Sequence, residues 1–254
     1  MENKKQKLFD AHFHIFSPKY TLRPNNKFTP EYFEVENYRK RMAAVRLVGG
    51  TLITSSFQMD DDSYIKPTLK QLGKNYVAVI SPPSDLTATN IRRLNSIGVR
   101  AIRINLFRSN LLTPRKIKEI ADKVNEIAGW HSEFYLDAKQ LKQLKPLLIN
   151  LPCCCIDHLG IEKEALADIL QLAACGVYVK ASGFGRTNHN IESALHAIWR
   201  ANPHALLFGS DLPSTRAKRS FSDYDIQLIK DCFDQQAANK IFYENAYRLY
   251  KIKS

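Results

Sequence analysis

A chain of 254 residues with 44% hydrophobic and 24% charged side chains, 10 glycines and 11 prolines can bury a full core and has no collagen-like, disordered or disulfide-stapled composition. Lysine and arginine number 37 against 25 acidic residues, giving a formal charge of +12 that is spread along the chain. With no RNA-recognition strand motif, zinc-finger spacing or basic zipper, nucleic acid is not the expected partner; solubility or a pocket for an acidic small molecule accounts for the charge.

Met1 to Lys7 is basic, but Leu8 and Phe9 run at once into Asp10 and His12, so no secretory apolar segment follows and a cytoplasmic location is expected. The longest nearly apolar stretch, Leu147 to Ile156, is broken by Asn150 and Pro152 and falls far short of the roughly 20 residues of a membrane helix. Of five cysteines, Cys153, Cys154 and Cys155 are consecutive in a strand-like run, which is neither a zinc spacing nor a disulfide framework.

In chain order, strand-like runs lie at about Lys7 to Asp10, Thr51 to Thr54, Tyr76 to Ile80, Arg100 to Ile104, Phe134 to Leu136, Cys153 to Ile156, Val177 to Lys180 and Ala205 to Phe208. Phe16 to Pro30, with Pro18, Pro24 and Pro30, reads as a long loop after the first strand. Thr113-Pro114 is an N-cap followed by proline at the first helical position, and the helix it opens places Ile117, Ile120, Ala121, Val124, Ile127 and Ala128 on one face. Ser222 with Asp225 three residues on opens another helix carrying Ile226, Ile229 and Phe233, and a last helix runs from about Gln236 to Tyr250. Eight strands alternating with helices, with no linker, predict one α/β domain over 1–254, a (β/α)8 TIM barrel; an open doubly wound sheet is second, weakened because no glycine-rich phosphate loop follows any strand.

Catalytic groups of such a barrel collect at the C-terminal ends of its strands. Asp10-Ala-His12-Phe-His14 closes the first, and a period of two points both imidazoles into the mouth, where they can share a metal ion or polarise one carbonyl. Asp157-His158-Leu-Gly160 adds a third imidazole after the sixth strand, and Gly209-Ser-Asp211-Leu-Pro213 a carboxylate after the eighth. Convergence of His12, His14, His158 and Asp211 predicts a chemical site. His131, His189, His196 and His204 are read as helix or loop residues without such partners, and Asp60-Asp-Asp62 as a solvated loop or helix start, not a calcium loop.

These motifs, with the closing Glu244-Asn245-Ala246-Tyr-Arg248-Leu-Tyr250, resemble the amidohydrolase-related family of barrel hydrolases in order and spacing over nearly the whole chain. The resemblance implies hydrolysis of esters, lactones or amides, or in some members decarboxylation, and is nearest to the lactonases of sugar acids and of 2-pyrone-4,6-dicarboxylate. One departure stands out: the fifth strand reads Glu133-Phe-Tyr135-Leu-Asp137, without the histidine common in the wider superfamily, so a binuclear metal centre is not expected. A single zinc or other divalent ion on His12, His14 and Asp211, with or without His158, and a metal-free site are both open, because the pyrone-dicarboxylate lactonases of the family work without a required metal. In either case Asp211 is the expected general base toward water, and the three histidines stabilise charge on the carbonyl oxygen, directly or through the metal.

On the fourth strand Val99, Ala101, Arg103 and Asn105 share a face, so Arg103 is expected in the mouth as a partner for a substrate carboxylate. Lys180 and Ser182 share a face at the end of the seventh strand, and Tyr135, Arg108, Arg186 and Arg216 complete the predicted substrate-binding set. The expected partner is therefore a small anionic molecule, and the expected activity hydrolysis of a carboxylated lactone or related ester. A zinc-dependent decarboxylase or amidohydrolase on the same barrel is the alternative, and a non-catalytic basic binding protein is the third reading.

Overall fold

The computed structural model describes residues 5–58, 61–107 and 112–252. In chain order the elements are β1 (Lys7–Phe13), α1 (Val35–Arg41), β2 (Arg46–Ile53), α2 (Ile65–Leu72), β3 (Tyr76–Ile80), α3 (Ala88–Ser96), β4 (Val99–Asn105), α4 (Pro114–Ala128), β5 (His131–Tyr135), α5 (Ala138–Ile149), β6 (Cys154–Ile156), α6 (Leu166–Ala174), β7 (Tyr178–Ser182), α7 (Ile191–Ala201), β8 (Leu206–Gly209), α8 (Asp223–Cys232), α9 (Gln235–Asn239) and α10 (Asn245–Leu249). All strand pairs are parallel and neighbours in space follow chain order from β1 to β8. That order excludes the doubly wound alternative, which needs a reversal of strand order.

The seam between β1 and β8 is closed just beyond the last regular strand residue. The Asp211 amide donates to the His12 carbonyl at 2.7 Å and the His14 amide to the Leu212 carbonyl at 2.7 Å. Gly209 permits this approach, because a Cβ there would stand 2.8 Å from the His12 Cβ. The result is a barrel with helices outside; no helix among the described residues is long and apolar enough to cross a membrane.

Local chemistry sets the elements as the sequence reading expects at several points. Thr113 caps α4 by accepting from the Lys116 amide, and Ile117, Ile120, Ala121 and Val124 are buried. Ser222 and Asp225 form a reciprocal capping box on α8. The predicted terminal helix is interrupted: a π-helical turn over Lys240–Glu244 separates α9 from α10. Tyr250 then plugs the bottom of the barrel, stacked on Phe9 with its hydroxyl donating to Glu133 Oε1 at 2.6 Å.

A bulge on β1 decides what the site looks like. From Asp10 to Phe13, β1 advances three residues while β2 advances two, from Gly50 to Leu52. Below the extra residue Phe9 and Ala11 face the barrel interior with Val77, Val79, Ala101 and Leu207. Above it the phase has shifted, so that His12 and His14 point inward while Phe13 stacks outward on Tyr38, with ring centres 4.1 Å apart.

Asp10 holds this corner. Its Oδ1 accepts from the amides of Ser210 (2.8 Å) and His12 (3.2 Å), and its Oδ2 from the hydroxyls of Ser210 (2.6 Å) and Tyr38 (3.2 Å). Burial nevertheless raises its pKa to about 6 from the model-peptide 3.8. A folded-state pKa above the unfolded one means that this group's stability contribution is full below pH 3.8 and is lost as pH rises through about 6. Asp10→Ala orphans these buried donors and is expected to destabilise by about 3 kcal/mol or more. Asp10→Asn keeps partners for both hydroxyls, which can accept as well as donate, and is expected to match or exceed wild-type stability above pH 6, by at most about 3 kcal/mol, with the difference vanishing below pH 4. Urea unfolding at pH 4 and pH 8 checks both.

Candidate active site

At the C-terminal mouth an open cavity is lined by His14, His158, Asp211, Arg103, Arg186 and Tyr135, among others. Strand register explains the gathering, since Arg103 pairs with Glu133 and Asn105 with Tyr135 on adjacent strands, bringing their alternate side chains to one level. Asp211 adopts a left-handed backbone (φ 59°), a costly conformation for a non-glycine residue, which the hydrogen bond to the His12 carbonyl sustains. Its Oδ2 accepts from Arg186 Nε at 2.6 Å. Its Oδ1 is buried without a hydrogen-bond partner, 3.9 Å from His12 Nε2 and 4.0 Å from His158 Nε2.

The three imidazoles are neutral near pH 7. Burial lowers His14 to about 3 and holds His12 and His158 well below the usual histidine value, with nearby cations adding to the effect. His14 Nδ1 lies 2.8 Å from the Ile53 carbonyl, which can only accept. Neutral His14 therefore carries its proton on Nδ1 and presents a bare Nε2, so it cannot be the direct N–H donor to a carbonyl oxygen that the sequence reading expected. His158 Nδ1 is 2.9 Å from the Ser182 hydroxyl.

Arg103 lines the mouth as predicted, its Nε bonded to Asp157 Oδ2 at 2.7 Å and its guanidinium 4.9 Å over the Tyr135 ring. Arg186 also lines it, anchored by Asp211 and by the Thr215 carbonyl at 2.9 Å. Arg216 borders the cavity, but its guanidinium binds the Asn25 carbonyl and lies 4.8 Å over Phe28 and 5.3 Å over Phe57, so it ties the loop after β1 down onto the site. Arg108 lies outside the described residues, as does Asp60. Lys180 and Ser182 stand elsewhere than predicted: both are buried beneath the cavity, Lys180 fully, and neither borders it.

The buried layer under the site was missed in the sequence. Lys180 Nζ contacts Glu133 Oε2 at 2.5 Å, Asp157 Oδ1 at 3.3 Å and His12 Nδ1 at 3.3 Å. Burial opposes ionisation of Asp157, but Lys180 and Arg103 outweigh it and hold the carboxyl well below the usual range. His131, expected in a helix or loop without partners, opens β5 and lies 3.1 Å from Glu133 Oε1. The available signals were Glu133, two residues before Tyr135 and so on its strand face, and Asp157, adjacent to His158.

Two sets of ligand atoms lie close enough to hold a metal ion here, His12 with Asp157 and His158, and His12 with His14 and Asp211. The amidohydrolase family model matches residues 9–252. The chain belongs to the amidohydrolase family. Among curated relatives, the 4-sulfomuconolactone hydrolase of Hydrogenophaga intermedia is 22% identical over 269 residues, covering 95% of this chain and 88% of that protein. That of Rhizobium radiobacter is 23% identical over 270 residues, covering 96% and 90%. Among solved structures, an Acinetobacter baumannii protein described as a probable 2-pyrone-4,6-dicarboxylic acid hydrolase, with citric acid bound, superposes with a TM-score of 0.83 at 22% identity, covering 96% of this chain and 99% of that one. The barrel is thus shared with the solved structure over nearly its whole length, and the resemblance inferred from the histidine and aspartate motifs is borne out.

Proposed function

We propose that this amidohydrolase-family protein hydrolyses a small lactone that carries at least one anionic group. The observation that supports the reading best is the unpartnered Asp211 Oδ1 at the floor of a cavity whose walls present Arg103 and Arg186. The names of the relatives, lactone hydrolases acting on sulfonated or dicarboxylated rings, point the same way.

In this reading Asp211 removes a proton from water as the water oxygen attacks the lactone carbonyl, and the ring C–O bond then breaks. The proton on Asp211 passes to the leaving oxygen, so lactone and water give one hydroxy acid with nothing left over. N–H donors on His12 and His158 face the developing oxyanion, and Arg103 pairs with the anionic substituent. Burial raises the Asp211 pKa above 3.8, and the Arg186 guanidinium pulls it back. Removing that cation in Arg186→Met is therefore expected to move the acid limb of the kcat/KM profile to higher pH; a limb that stays or moves down would contradict Arg186 as the group that keeps the base ionised.

A zinc ion on the same residues is the other reading, and the donor set fits it poorly. Both possible ligand groups need His12, whose Nδ1 faces the Lys180 ammonium, and Asp211 is already neutralised by Arg186. A divalent cation would sit among Lys180, Arg103 and Arg186. The mechanism above accordingly routes no step through a metal. A panel of lactones tests the proposal: carboxylated rings are expected to be opened roughly 10- to 10²-fold more efficiently than neutral analogues, as a charge-assisted contact of about 1.5–3 kcal/mol implies. Decarboxylation or amide cleavage with no lactone opening would overturn it.

A further inference from the structure

The Lys180 ammonium has no contact with solvent and three N–H bonds to place. Two atoms take hydrogen-bonding positions around it, Glu133 Oε2 at 2.5 Å and His12 Nδ1 at 3.3 Å, while Asp157 Oδ1 stands 3.3 Å away as an ion-pair partner without a hydrogen bond. The other carboxylate oxygens are already taken. Glu133 Oε1 accepts from the Tyr250 hydroxyl at 2.6 Å and lies 3.1 Å from His131 Nε2, while Asp157 Oδ2 accepts from Arg103 at 2.7 Å.

Lys180 therefore has a second hydrogen-bond acceptor only if His12 presents a lone pair at Nδ1. A proton there would point at the ammonium and leave one buried N–H without a partner, an expensive arrangement in a dry interior. Asp157 Oδ1, which has no hydrogen-bond partner, could draw a proton onto His12 Nδ1, but it is 3.5 Å away, at the limit of a hydrogen bond, and the Lys180 ammonium stands nearer to both atoms at 3.3 Å. With Nδ1 bare, the single proton of the neutral ring sits on Nε2, the atom that is buried without a protein partner and faces Asp211 Oδ1 across 3.9 Å.

We propose that Lys180 is a positioning residue that locks His12 in its Nε2–H tautomer, so that the buried imidazole directs a fixed hydrogen-bond donor toward Asp211 at the edge of the cavity. Lys180 touches no substrate and acts through His12 alone. The tautomer follows from the buried hydrogen-bond count; its catalytic consequence rests on the lactone-hydrolase reading. His12 as a donor complements His14, whose bare Nε2 can only accept, so the two imidazoles two residues apart carry opposite hydrogen-bonding roles.

The test is made first on the unaltered protein. In ¹⁵N-histidine-labelled protein near pH 7, with the His12 signals identified by their loss in His12→Asn, Nδ1 is expected to show the shift of a non-protonated imidazole nitrogen and Nε2 that of an N–H. The reverse assignment would overturn the proposal whether or not any variant folds. The second test is the charge-balanced pair Glu133→Gln with Lys180→Met, folding checked by circular dichroism. It is expected to lose about 10²- to 10³-fold in kcat with KM changed by less than about threefold, the size of losing one oxyanion donor, and to show the His12 proton moved to Nδ1. A folded pair that keeps the Nε2–H tautomer would overturn the role of Lys180. Confirmed tautomers in a protein that opens no lactone would leave the positioning role standing and defeat the functional reading alone.

Discussion

Asp211→Asn is expected to lower kcat on a carboxylated lactone by about 10³-fold or more while the protein stays folded. The amide retains an oxygen to accept from Arg186 and a shape that fits the left-handed turn, but it cannot take a proton from water. Because Arg186 would then lose its anionic partner, some loss of stability accompanies the change; a urea midpoint measured beside the kinetics separates the two effects. An Asn variant that turns over within tenfold of wild type would remove Asp211 from the role of base.

Arg103→Met is expected to raise KM for anionic lactones by roughly 10- to 100-fold and to leave neutral analogues within about threefold, since the charge-assisted contact it removes exists only for the anionic ring. Methionine keeps the apolar stem against Tyr135, and Asp157 retains Lys180 as a cationic neighbour at 3.3 Å, so the buried carboxylate is not left without a counter-charge. Equal losses on neutral and anionic substrates would instead assign Arg103 to holding Asp157 in place. Comparing kcat and KM on a matched pair of lactones distinguishes these outcomes.

The barrel and the four residues at its heart were legible in the sequence because both depend on local signals: alternating apolar runs give the strands, and chemistry-bearing side chains sit where those runs end. β3 (Tyr76–Ile80) coincides with the predicted run, and Thr113 and Ser222 start their helices as their capping patterns require. β2 begins at Arg46, earlier than the expected Thr51, and runs through Gly49-Gly50; at Gly49 a Cβ would collide with the Asn75 carbonyl and Phe9, so the glycine serves strand packing. The single predicted C-terminal helix conceals a π-helical turn that periodicity cannot register.

What remained hidden depends on depth. Lys180 and Ser182 share the strand face that was predicted, but the sequence does not say how far below the rim they lie, and they end as buried partners of His12 and His158. Glu133 was noted only as part of a strand end without histidine, whereas in the fold it is the counter-ion of Lys180. The β1 bulge is likewise silent in the sequence, although it turns His12 and His14 inward above an interior already occupied by Phe9 and Ala11. Long-range register creates these relationships, and no local pattern reports it.

The most direct test of the account is the activity of protein whose metal content has been measured before and after exhaustive chelation, assayed on a carboxylated lactone. Metal-stripped protein is expected to retain kcat within about twofold, because Asp211, His12 and His158 supply the base and donors themselves. Stoichiometric metal, with activity lost on chelation and restored by adding zinc back, would contradict the account and make the histidines ligands instead of donors.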